Sequence, residues 1–185
     1  MKSIITAIVI AITTLGIYTH AKADAEITST TPIYEMLDNI LQTIVIMSVE
    51  KGIDNVTTTD AKTIGQRIAK QRAEQIKSRP TSSNIIRKAL ESEAREIQNM
   101  AKKYENTQER VNVEANDASK EVTRLEGEVN LYKGVDIVKA GQLAAQYDHA
   151  VEEAETRTTY ATQHYLIAHA LNVAALEIAT QAAKQ

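Results

Sequence analysis

The sequence predicts an all-α protein: an elongated helical bundle in which a long antiparallel helical hairpin is packed by two shorter N-terminal helices. Three observations carry that expectation. Leu90, Ile97, Tyr104, Val111, Ala118, Leu125 and Tyr132 recur every seven residues without interruption, the repeat that keeps one helical seam against a partner. Phe, Trp and Cys are absent and seven Tyr are the only aromatics. Ala, Leu, Ile and Val at seam positions suffice for helix pairs, whereas the core of a globular enzyme usually draws on large aromatic rings. Turn signals at Gly52, at Arg79-Pro80 and at Gly134 and Gly141 divide the rest of the chain into helical stretches.

Residues 1–23 read as a cleaved signal peptide. Lys2 gives a positive start, residues 4–17 an apolar run, and Ala21-Lys22-Ala23 a small-x-small cleavage site. The run is about 14 residues long, short of the roughly 20 needed to span a bilayer. The mature chain is then expected to be one helical domain over residues 24–185, with helices at about 32–51, 59–78, 83–133 and 142–184.

Residues 24–31 are polar and expected to be a loose terminus. Thr31 before Pro32 is an N-cap followed by proline at the first helical position, and Gly52 is a stop. Between them Ile33, Leu37, Ile40, Ile44 and Met47 alternate at spacings of four and three, flanked by Met36, Leu41, Val45 and Val49. The four apolar residues 44–47 cannot all face one core. The second helix places Ala61, Ile64, Ile68 and Ile76 on one side, and Arg79-Pro80 ends it because a residue before proline is pushed out of helical geometry. Thr81, Ser82 and Ser83 offer caps for the third helix. Its outer face carries opposed charges four apart at Arg87/Glu91, Glu91/Arg95 and Arg124/Glu128. The fourth helix has a seam built mainly of alanine: Leu143, Tyr147, Ala150, Ala154, Ala161, Ala168, Leu171, Ala175, Ile178 and Ala182. Small seam residues let two backbones approach closely.

Charge argues about partners. Losing Lys2 and Lys22 leaves 19 basic against 24 acidic residues, a formal charge of −5, which disfavours nucleic acid as a partner. An exported chain without Cys is neither a disulfide-stapled mini-domain nor a lipoprotein. Residues 61–88 hold eight bases and one acid, Glu74. Within them Arg67, Lys70, Arg72, Lys77 and Arg79 form a candidate basic patch, able either to dock on an acidic partner or lipid headgroups or to pair within the bundle with acidic stretches such as Glu152, Glu153 and Glu155. Residues 158–183 contain one charge, Glu177, so that helix is either the buried centre of the bundle or covered by another subunit. His164, His169 and Asn172 interrupt its apolar residues, so membrane contact is expected only as peripheral association.

No phosphate-binding loop, dinucleotide glycine pattern or nucleophile elbow occurs. His149, His164 and His169 share the fourth helix, and none has Glu three residues before it as di-iron bundles require. His149 with Glu153 gives two ligands, which do not make a metal site. The expectation is therefore a non-enzyme with no catalytic residue, cofactor or metal. The residues that matter are seam and contact positions: Ile40, Ile44, Met47, Val111, Leu125, Leu171 and Ile178.

The order of parts, a signal at residues 2–23, a hydrophobic helix at 33–49 and a long hairpin over 83–185, resembles the minor pilus-tip subunits of bacterial type IV secretion and conjugation systems. That resemblance implies a periplasmic or cell-surface component that assembles with other envelope proteins, among them an inner-membrane channel and a major pilin. Two other classes fit the same helices. A periplasmic holdase-type chaperone would grip unfolded clients with the hairpin, although no strand is apparent for the small sheet such proteins use to oligomerise. A generic envelope coiled-coil adaptor would self-associate through the alanine seam into a homo-oligomer.

Overall fold

A computed structural model describes residues 32–185. The expected signal peptide at 1–23, the polar stretch 24–31 and the expected Thr31 cap lie outside the described residues. Among those residues there are four α-helices and no strand: α1 Pro32–Lys51, α2 Thr58–Lys77, α3 Ser83–Tyr132 and α4 Ile137–Ala182, with one 3-10 turn at Ile53–Asn55. The protein is an all-α helical bundle.

Each boundary has a local cause. Gly52 ends α1 with φ +81°, a left-handed value that costs glycine nothing. The start of α2 is a capping box: the Asp60 backbone N–H donates to Thr57 Oγ1 at 3.2 Å, while the Thr57 backbone N–H donates to Asp60 Oδ2 at 2.9 Å. Lys51, at the end of α1, adds an ion pair to Asp60 at 3.5 Å. Beyond Pro80 the Ile86 N–H donates to the Ser82 carbonyl at 3.0 Å as α3 begins. The α3–α4 turn is built on Gly134, φ +100°, after which the Val135 and Asp136 N–H groups donate to the Tyr132 carbonyl. Asp136 then caps α4, its Oδ1 accepting from the Lys139 N–H at 2.9 Å. The fourth helix therefore starts at Ile137, and Gly141 lies inside it instead of marking a break.

The chain divides into two compact units. The first contains α1, α2, α3 through Glu105 and α4 from Gln163. Its core joins Met36, Leu37, Ile40 and Ile44 of α1, Ile64, Ile68 and Ile76 of α2, Leu90 and Ile97 of α3, and Leu166, Leu171 and Ile178 of α4. Ile44 is fully buried whereas Ile46 is turned to solvent, which resolves the apolar run at 44–47. One close approach falls on an alanine outside the expected seam, Ala170. Gly65 of α2 packs so closely on α4 that a β-carbon there would lie 2.3 Å from the Ala170 carbonyl oxygen. In this unit α3 and α4 lie side by side: the Tyr104 and His164 rings have centroids 5.3 Å apart, and Asn172 Nδ2 donates to Glu105 Oε1 at 2.7 Å.

The second unit is Asn106–Thr162, the two facing halves of α3 and α4 with their turn. Leu125, Leu143 and Ala150 form its buried cluster, with Val122, Val129, Tyr132 and Tyr147 packed around it. Arg157 of α4 reaches across to Glu114 of α3 at 2.8 Å and also holds Glu153. The expected charge pairs form at Arg87/Glu91 and Arg124/Glu128, where Arg124 also grips Glu121. Arg95 instead donates from Nε to the Glu91 carbonyl at 3.3 Å.

Candidate interaction surfaces

The seam residues fall inside. Ile40, Ile44, Leu171 and Ile178 are fully enclosed in the first unit, and Met47 is half-buried against the same core. Leu125 is buried in the cluster of the second unit, and Val111 is buried on the same helix. Their position is that of core residues, so any contact they influence is influenced through the fold.

The basic run separates into different environments. Arg67, Lys70 and Arg79 are exposed. Lys77 donates to Gln181 of α4 at 2.6 Å. Arg72 belongs to no surface patch: its side chain and that of Glu93 on α3 retain only 10% and 8% exposure. Its Nε and Nη2 engage the two oxygens of that carboxylate, the latter at 3.0 Å, and Nη1 donates to Gln75. A fork-to-fork pair of this kind satisfies the donors that burial removes from water. The helical period puts Arg72 on the buried side with Ile68, Ala69 and Ile76, a placement that a count of charges does not reveal.

The histidines do not converge. His164 is buried against Tyr104, His169 is half-buried beside Tyr165, and His149 lies in the other unit. Together with Glu152, Glu153, Thr156 and Arg157, His149 lines an open depression of about 480 Å³. Glu153 there is taken up by Arg157, and among the described residues no group of three or more His, Asp or Glu is placed to hold a metal ion.

Comparisons with known proteins give no further handle. No family model matches the chain, and no curated protein or solved structure matches it. The surfaces themselves are the remaining guide.

Two stand out. The last part of α4 is the centre of its unit, with Leu166, Ile167, Ala170, Leu171, Ala174 and Ile178 all buried. Its outward side nevertheless carries little charge: Tyr165, His169, Leu176 and Thr180 follow one another at helical spacing, the half-exposed Glu177 is the one charge on this stretch, and Asn172 is turned to Glu105 of α3. Leu176 is 70% exposed and Tyr165 47%. The second surface is the turn between α3 and α4, where Leu131, Val135, Ile137 and Val138 all face solvent. In the sequence this turn is signalled by Gly134 and Gly141, with Val135, Ile137 and Val138 lying in the break between them. No described helix is long and apolar enough to cross a membrane.

Proposed function

We propose that this chain is an exported, non-enzymatic structural protein of the bacterial cell envelope, acting by contact with other envelope proteins as a minor pilus component of a type IV secretion apparatus. The observation that carries an interaction role is the outer side of α4 from Tyr165 to Thr180, where exposed Tyr165 and Leu176 stand among neutral residues and Glu177 is the one charge. A helix face destined only for water normally alternates charges, as α3 does at Arg87, Glu91, Arg124 and Glu128. Exposed Tyr and Leu among neutral polar residues instead match the composition of surfaces that other proteins cover. The pilus assignment adds the order of parts along the chain, a signal, a hydrophobic helix and a long hairpin.

The test is site-specific photocrosslinking from Leu176 and Tyr165 in the native envelope, with partners identified by mass spectrometry. Recovery of a channel protein and a pilin in fixed proportion is the expected result. Many unrelated unfolded clients would replace this reading with a holdase-type chaperone. Crosslinks to the same chain alone would replace it with a self-assembling envelope adaptor, and no crosslinks would remove the stripe as a contact surface.

A further inference from the structure

The turn joining α3 to α4 is built unlike a solvent-facing turn. Turn residues are ordinarily Gly, Asn, Asp, Ser or Pro, each supplying backbone freedom or a local hydrogen bond. Here Gly134 and Asp136 do that work, and the positions around them are aliphatic. Leu131 is 68% exposed, Val135 82%, Ile137 84% and Val138 73%, four large apolar side chains within eight residues. The nearby exposed surface of α3 is charged, with Asp117, Lys120, Glu121, Arg124 and Glu126.

The charge at this tip is arranged as well. Lys133 lies within the aliphatic group and Lys139 directly after it, and neither has an ion-pair partner among the described residues. The Lys139 ammonium sits over the Tyr132 ring, 3.7 Å from its centroid. The carboxylate of Asp136, the acid between them, is engaged by the N–H at the start of α4. Two cations and a tyrosine ring therefore border a convex apolar tip.

We infer that this tip, Leu131 to Val138, inserts shallowly into the surface of an anionic lipid bilayer. The occupant follows from shape and charge. Side chains diverging from a turn would need a concave apolar socket on a protein, whereas the headgroup region of a bilayer accepts a convex wedge. A second copy of the same tip would bring Lys133 and Lys139 of both chains together, a like-charge contact. Anionic headgroups complement both lysines, and tyrosine and lysine are the residues that settle at a membrane interface. This inference does not rest on the secretion-pilus reading, and its test needs no protein partner.

The chain contains no Trp. Val135→Trp therefore places a fluorophore at the tip alone, and binding by other parts of the full chain does not register. With phosphatidylcholine vesicles containing phosphatidylglycerol, the emission of V135W is expected to shift to the blue and to be quenched by brominated acyl chains. With pure phosphatidylcholine the shift is expected to be much smaller. Adding K133Q and K139Q to V135W should weaken the response about 30-fold, the loss expected for two lysines near an anionic surface. Adding I137D and V138D should abolish it, with the helical circular dichroism unchanged because both side chains are exposed. Emission of V135W that stays at its aqueous wavelength on the anionic vesicles overturns the inference, as does a shift that survives the aspartates.

Discussion

Gly65 of α2 and Ala170 of α4 are in contact through their backbones, so closely that the carbonyl oxygen of Ala170 occupies the space a β-carbon on Gly65 would need. Gly65→Ala should therefore destabilise the protein by about 1–3 kcal/mol, because the obstacle is backbone and α2 must move away. Gly127 is the internal control. It lies within α3, exposed, with nothing described within 4 Å of where its β-carbon would be. Gly127→Ala should stabilise by about 0.5–1 kcal/mol. Urea unfolding of the two variants compares them directly. Equal shifts in the same direction would mean that α2 and α4 do not approach as described.

The buried pair Arg72–Glu93 predicts strong coupling. Arg72→Met alone should cost about 3–5 kcal/mol, because it strands the Glu93 carboxylate without its partner. Arg72→Met combined with Glu93→Leu should recover most of that loss, since both desolvated charges are then gone. A double-mutant cycle by chemical denaturation measures the coupling. Additive single-mutant losses would show that the two side chains are hydrated and independent.

The α2 cap predicts a pH dependence with a definite sign. Hydrogen bonds from the Thr57 backbone and hydroxyl, helped by Lys51, hold the Asp60 carboxyl below its ordinary range. A lowered folded value means that its contribution is present above the ordinary aspartate value, about 4, and is lost as pH falls through the folded value. Thr57→Ala should cost about 1 kcal/mol at neutral pH and lessen this acid sensitivity only in part, because the Thr57 backbone N–H, the stronger of the two donors to Asp60, is retained. Amide exchange of the first turn of α2 across the acid range is the measurement, and an acid sensitivity unchanged by T57A would contradict it.

Gln163 predicts the opposite of a usual core mutation. It is buried, and its Oε1 has no hydrogen-bond partner among the described residues. Burying a carbonyl without a donor is unfavourable, and an apolar side chain of similar size avoids that loss. Gln163→Met should leave thermal stability unchanged or raise it by a few degrees. A marked fall would mean that Oε1 is satisfied in solution.

Much of this architecture is legible in the spacing of apolar residues. The seven-residue repeat from Leu90 to Tyr132 becomes a buried or half-buried stripe throughout, and so does the alanine seam from Leu143 to Ala182. Periodicity reports which side of a helix is dry, and that survives without knowledge of the partner. It does not report what crosses the dry side. Arg72 looks like one more base in a basic run until Glu93, 21 positions later, is placed opposite it. Gly65 reads as a weak point in a helix until Ala170 is seen against it. The start of α4 was obscured by Gly141, because the decisive cap is Asp136 and the residues after it are aliphatic where a helix start usually shows polar ones. The exposed tip was missed for the same reason: a sequence cannot show which apolar residues the turn leaves without neighbours.

The order in which the core residues leave the ribosome has a consequence for how the chain acquires its structure. Ile40 and Ile76 share one buried cluster with Ile178 and Ala182, and Lys77 is tied to Gln181 across 104 positions. Contacts of the second unit, such as Glu114 with Arg157 or Leu125 with Leu143, close much shorter loops around Gly134. A chain emerging from its N-terminus can zip the hairpin turn early, yet its α1 and α2 have no complete core to dock on until the last dozen residues arrive. For that interval the apolar faces of α1 and α2 lack the α4 residues, Leu171 and Ile178 among them, that complete their core.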